Sequence, residues 1–105
     1  MGREKNKRDC IYKKKLLSRT LIGLKVKVLL HNDPSLRNIE GEIVQETKKS
    51  IIVRKNQGEE ITILKLYGLF VLGSESGPSV IVHGEDIYGT LLERLRRIRK
   101  RRVVC

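Results

Sequence analysis

The sequence predicts an all-β core, a small barrel of five to six antiparallel strands, flanked by an N-terminal and a C-terminal helix. Three observations predict it. Strict two-residue alternation runs through Leu24-Lys25-Val26-Lys27-Val28, with the apolar residues on one face and both lysines on the other. β-Branched pairs and triplets at Ile43-Val44 and Ile51-Ile52-Val53 flank the polar connection Glu46-Thr47-Lys48-Lys49, the pattern of a hairpin. Turn clusters recur at the spacing of short strands, and after Gly89 the period changes to a helical one.

In chain order, residues 1–10 read as a polar, flexible arm, and a short helix is expected over Ile11–Ile22. Leu16, Leu17, Leu21 and Ile22 would form its apolar stripe, with Lys13, Lys14 and Lys15 facing away. The strand opened by Gly23 extends through Leu29-Leu30-His31 to the turn Asn32-Asp33-Pro34-Ser35, where asparagine and aspartate bond nearby backbone and proline fixes φ. Leu36 and Ile39 are expected beneath that loop. On the next strand, simple alternation puts Glu40, Glu42 and Glu46 on one face with Val44, and Ile39, Gly41, Ile43 and Gln45 on the other. Gly41 marks a bulge, a bend or a close backbone approach. Strands are then expected over Glu60–Leu64, Leu66–Leu72 and Ser79–His83, with loops at Asn56–Glu59 and Gly73–Pro78. Thr90-Leu91-Leu92-Glu93 has the form of a capping box. It would start a helix with Leu91, Leu92, Leu95 and Ile98 packed inward and Arg94, Arg97 and Arg101 on the opposite, positive side. The domain division expected is a basic arm over 1–15, one folded unit over 16–102 and a tail over 103–105.

Composition limits the function. A chain of 105 residues holds one modest core, and with only 4% aromatic residues that core is aliphatic and stacking platforms are not expected. The net charge is +11, and it is concentrated at the ends. Residues 1–19 carry eight basic side chains against two acidic ones, and residues 91–105 carry seven against one, while the middle is nearly neutral. A neutral body with two cationic ends suits a polyanion, nucleic acid being the commonest, and arginine's planar fork suits phosphate. Cys10 and Cys105 form no disulfide framework and no secretory leader precedes them, so free thiols in the cytoplasm are expected. The apolar runs are too short for a membrane span.

Catalysis by the chain itself finds little support. Glu40, Glu42 and Glu46 are the only carboxylates that could converge on a metal, and a salt-bridged outer face or a contact with a basic partner protein explains them better. Cys10, Cys105, His31 and His83 lack the paired spacing of a zinc site, and no phosphate-binding glycine loop is present. No catalytic or metal-binding residue is therefore expected. The candidate RNA contacts are Arg94, Arg97 and Arg101, then Lys13, Lys14 and Lys15, and then Lys48 and Lys49 at the hairpin turn. Recognition of the backbone and shape of structured RNA is the mode that fits. An alternative class is a protein-interaction barrel whose tails only aid solubility; its RNA binding would not depend on salt.

Leu21-Ile22-Gly23-Leu24-Lys25-Val26-Lys27-Val28, followed by Ile39-Glu40-Gly41-Glu42-Ile43-Val44-Gln45-Glu46-Thr47-Lys48, resembles archaeal ribonuclease P protein component 1, the Pop4-related subunit family. The distinctive part is Gly-x-[Ile/Val]-Val-x-Glu-Thr before an aliphatic strand, and the match runs over roughly residues 16–102. Where many members have Gly-x-Pro-Glu-[Asp/Glu]-Arg, this chain has Gly89-Thr90-Leu91-Leu92-Glu93-Arg94, without the proline. The resemblance implies a twisted, Sm-like six-stranded barrel with terminal helices. It also implies an RNA-binding subunit of the ribonucleoprotein that removes 5′ leaders from precursor tRNA. Catalysis would belong to the RNA, with magnesium needed there and no cofactor bound by this chain. Implied partners are the ribonuclease P RNA, a zinc-ribbon protein subunit, the other protein subunits and, indirectly, precursor tRNA. The competing RNA-binding identities are a ribosomal protein and an Sm-like RNA chaperone.

Overall fold

The computed structural model describes residues 7–99. Helix α1 (Lys7–Leu17) leads to strand β1 (Lys25–His31), a turn of 3-10 helix (Pro34–Leu36), β2 (Glu40–Glu46), β3 (Ser50–Arg54), β4 (Glu60–Leu64), β5 (Gly68–Gly73) and β6 (Ser79–His83). Two helices follow, the short α2 (Gly84–Ile87) and α3 (Leu91–Arg99). The strands make one antiparallel sheet in the order β4-β3-β2-β1-β5-β6. The expected all-β core with terminal helices is therefore present, but the barrel is not closed by hydrogen bonds. No ladder joins β4 to β6 among the described residues, because β6 stops at His83, where α2 begins. The two edges approach at one point instead. A Cβ on Gly84, just after β6, would lie 1.7 Å from the carbonyl oxygen of Lys65, just after β4, so only glycine fits there.

One face of the sheet carries the core. Val26, Val28, Ile43, Ile51, Val53, Ile63, Phe70, Leu72 and Val82 are buried on it, joined by Leu16 and Leu17 of α1, Leu21, Leu24 and Ile87. Phe70 is the single aromatic among those buried residues, and Tyr12 packs against them. Leu36 and Ile39 pack against the core as expected, and Asp33 stabilises their loop by accepting from the Ser35 N–H at 3.0 Å and hydroxyl at 2.7 Å.

Two β-bulges break the alternation that the sequence suggests. In the β1–β5 pair, Val28 opposes Phe70 but Leu30 opposes Leu69, so Leu29 is the extra residue. Leu30 is thereby turned to the outer face, where it is 50% exposed, although it continues the series Leu24, Val26, Val28. In the β2–β3 pair, Ile43 opposes Val53 and Gln45 opposes Ile52, so Val44 is the extra residue. Glu46 then opposes the buried Ile51 and points inward. The expectation that Glu40, Glu42 and Glu46 share one face is corrected: each bulge inserts one residue and inverts the face of everything beyond it.

The helices also depart from expectation. Helix α1 begins at Lys7 and ends at Leu17, so Leu21 and Ile22 lie in the connection to β1 rather than on a helical stripe; Leu21 is buried there and Ile22 is exposed. Cys10 is disulfide-bonded rather than a free thiol. Helix α3 starts with the capping box as predicted. The Thr90 N–H donates to Glu93 Oε1 at 3.0 Å and the Glu93 N–H to Thr90 Oγ1 at 3.2 Å, which supplies the helix start without the proline. Its inward face is different, however. Leu92 is 57% exposed and Leu91 also faces solvent, while Arg94 is buried.

Candidate nucleic-acid interface

Arg94 is 1% exposed, so its expected place on the positive, solvent-facing side of α3 is corrected. Its guanidinium sits where α1, β2 and α3 meet. Nε donates to the Leu17 carbonyl at 3.2 Å and Nη2 to the Arg19 carbonyl at 2.7 Å, satisfying carbonyl groups at and just beyond the C-terminus of α1. Nη1 bonds Glu46 Oε2 at 2.5 Å and reaches the Gly89 carbonyl at 3.4 Å. Four acceptors around one planar fork is a geometry that lysine could not match. A leucine at this position would leave those carbonyls dry and unpaired.

Glu46 is the hub of the cluster. It accepts from Arg94, from Lys65 Nζ at 3.1 Å and, through Oε1, from the Leu21 N–H at 3.1 Å. Burial pushes its carboxyl up, but the Leu21 amide, Arg94 and Lys65 together outweigh that and hold it below the usual glutamate value. Lys65 is 0% exposed; burial lowers its pKa, Glu46 opposes the shift, and Arg94 and Arg97 add to it. Its second partner is the Gly89 carbonyl at 3.2 Å. Gly89 can present that carbonyl because its φ of +96° is a conformation glycine adopts freely, and its N–H is anchored on the Lys48 carbonyl at 2.8 Å. Two cations thus share one carboxylate, and three main-chain oxygens supply the remaining acceptors.

The other predicted contacts divide into two groups. Arg97 is half-buried and its Nη2 bonds the carbonyls of Tyr88 at 2.5 Å, Asp86 at 3.4 Å and Glu85 at 3.5 Å, capping α2 as Arg94 caps α1. Lys13 also turns inward, with a side chain only 11% exposed and 3.4 Å from Asp86. Lys15 and Lys49 are exposed, Lys14 is half-buried, and the exposed Lys48 lies 3.6 Å from Glu93, whose carboxyl the Thr90 amide, helped by Lys48, holds low. Arg101 lies outside the described residues. Arg19, Arg96 and Arg99, which the sequence reading passed over, are exposed. A helical wheel centred on Arg94 rather than on the leucines would have found the last two.

No group of three His, Cys, Asp or Glu side chains placed to hold a metal occurs among the described residues. Glu40 pairs with Lys27 at 3.8 Å and Glu46 is consumed by the buried cluster, so the carboxylates do not converge. No described helix is long and apolar enough to cross a membrane.

The model of the family described as ribonuclease P/MRP, subunit p29, matches residues 14–97. The chain belongs to that family. Among p29-family relatives, the ribonuclease P protein component 1 of Hyperthermus butylicus is 40% identical over 79 residues, spanning 75% of this chain and 71% of the relative. That of Sulfurisphaera tokodaii is 43% identical over 74 residues, spanning 70% and 94%. A solved structure of Mth11, described as a homologue of human RNase P protein Rpp29, superposes with a TM-score of 0.56 at 28% identity over 72% of this chain and 97% of Mth11. Glu46, in the stretch that carries the resemblance, forms the buried ion pair with Arg94, at the end of the segment that lacks the family's proline. The signature of this p29-family chain is thus, in part, the joint between its sheet and its helices.

Proposed function

We propose that this chain is a non-catalytic RNA-binding subunit of ribonuclease P, the counterpart of the eukaryotic Pop4 subunit, acting in 5′ maturation of precursor tRNA. The observation that carries the reading is the family match over residues 14–97. The reaction belongs to the RNA subunit, with magnesium required there. This chain contributes no carboxylate pair to it, since Glu46 is held by Arg94 and Lys65. Its work is to contact RNA phosphates with exposed cations on and around the terminal helices, Lys15, Arg19, Lys49, Arg96 and Arg99 foremost, on a surface held rigid by the Arg94 joint. A zinc-ribbon subunit and the other protein subunits are the protein partners, and the site of action is the cytoplasm.

Sequencing the RNA that co-purifies with the native protein tests the reading. Ribonuclease P RNA should dominate. Enrichment of ribosomal RNA or a spectrum of small RNAs would replace it with a ribosomal or chaperone role.

A further inference from the structure

The outer face of β1, β5 and β6 has a construction that the core does not require. Leu30, Leu69 and His83 stand in register across the three strands, and Tyr67 stands at the end of that row, just before β5. Leu30 is on this face only because of the bulge at Leu29. Tyr67 has a φ of +72°, a left-handed conformation unusual for a bulky residue, and its carbonyl is fixed by the Asn32 N–H at 3.1 Å. The residue is 64% exposed, the only aromatic so exposed among the described residues. Two separate backbone irregularities therefore push apolar groups out of the fold at one place, and such departures collect at functional sites. Leu30 and Tyr67 line a cleft together with Leu69, His83 and Glu85.

The opposite end of the same face is polar. A second cleft, with Gly73 in its lining, is flanked by Lys25, Lys27 and Ser79. Lys25 makes no ion pair among the described residues, and the Lys27–Glu40 pair is long, at 3.8 Å, and open to solvent. From the Leu69 row to the Gly73 row is about 13 Å along β5, the length of roughly two nucleotides of extended chain. A flat aromatic ring at one end and ammonium groups at the other match a base and its phosphates better than they match a protein surface, which would need no cations at that spacing.

We infer that this face binds an unpaired segment of RNA, with one base stacked on Tyr67 against Leu30 and Leu69 and the neighbouring phosphates at Lys25 and Lys27. The inference rests on the reading of the chain as an RNA-binding subunit and adds a second contact, on single-stranded RNA, to the cationic helical surface. Glu85 and His83 at the edge of the apolar cleft offer hydrogen bonds to the base and leave no place for phosphate there.

The test uses the full chain with two probes, the ribonuclease P RNA and an oligouridylate of about a dozen nucleotides. Tyr67→Gly removes the ring and relieves the left-handed backbone, so it should raise the melting temperature while weakening both probes by about 5- to 150-fold, the loss expected for one stacked base. Tyr67→Phe should bind like the wild type. Lys25→Gln with Lys27→Gln should reduce the slope of log K against log salt for the oligouridylate by about 1.4. Ultraviolet cross-linking should place a nucleotide adduct on Tyr67. Unchanged affinity of Tyr67→Gly for both probes, with adducts elsewhere, would overturn the inference while leaving the subunit assignment intact. Loss of a protein subunit from the Tyr67→Gly complex, with RNA affinity retained, would overturn it in favour of a protein surface. Failure of the wild type to prefer ribonuclease P RNA over unrelated RNA would count against the subunit assignment, whatever Tyr67 does.

Discussion

Glu46 carries one negative charge against two buried positive ones, and that imbalance decides how the cluster responds to substitution. Removing the carboxylate leaves Lys65 and Arg94 facing each other without compensation, whereas removing Lys65 leaves a balanced pair. Glu46→Gln should therefore cost about 3–5 kcal/mol of unfolding free energy, and Lys65→Met less than about 2 kcal/mol. Urea denaturation of both variants checks the order; a Lys65→Met variant less stable than Glu46→Gln would contradict it. The pH dependence has a definite sign. Glu46 titrates below its ordinary 4.5 in the fold, so its contribution is complete above that value and is lost as pH falls through the lower folded-state value. The melting temperature of the wild type should fall in that acid range more steeply than that of Glu46→Gln. Parallel curves would show that Glu46 is not the group responsible. At Lys65 the lowered pKa means that keeping the ammonium charged opposes folding, so the lysine persists for its bonds to Glu46 and Gly89 rather than for net charge stabilisation.

At the scale of elements, much was legible and the exceptions share a cause. The strands from Lys25 to His83, the Asp33 turn and the Thr90–Glu93 box could be read because each is a local pattern with a local mechanism. The faces of Leu30 and Glu46 could not, because a bulge is a property of pairing: Leu29 and Val44 look like ordinary strand residues until a partner strand leaves them out. The inward face of α3 was misread for a related reason. Periodicity counts arginine as polar, yet Arg94 is the residue that meets the open carbonyls at the end of α1. Deleting Val44 would restore regular alternation in the existing register, with Ile43 inward, Gln45 outward and Glu46 still inward opposite Ile51. The deletion should therefore keep the Glu46 ion pairs and cost less stability than Glu46→Gln, measured by the same denaturation, and a deletion variant as unstable as Glu46→Gln would contradict the register given to the bulge. Thr90→Ala should cost about 1 kcal/mol, through loss of the bond to the Glu93 amide.

For the molecule as a whole, the arginines of α3 divide between those bound inside the fold and those left exposed. Arg94 and Arg97 cap the other two helices, while Arg96 and Arg99 remain exposed. Arg96→Gln and Arg99→Gln should weaken RNA binding, lower its salt slope by about 0.9 per lost phosphate contact and leave the melting temperature unchanged. Arg94→Met should instead lower the melting temperature. A loss of stability in the first pair, or none in the second, would reverse the division. The +11 charge visible in the sequence thus overstates the cationic surface, since part of it is spent inside. The central claim, a subunit that supports an RNA catalyst without being one, is tested most directly by cleavage of precursor tRNA by the reconstituted complex across magnesium concentrations, with and without this chain. The prediction is no cleavage by the chain alone, and faster cleavage at lower magnesium when it is added to the RNA and the other subunits. Cleavage by the protein alone, or rates indifferent to its presence at every magnesium concentration, would contradict the claim.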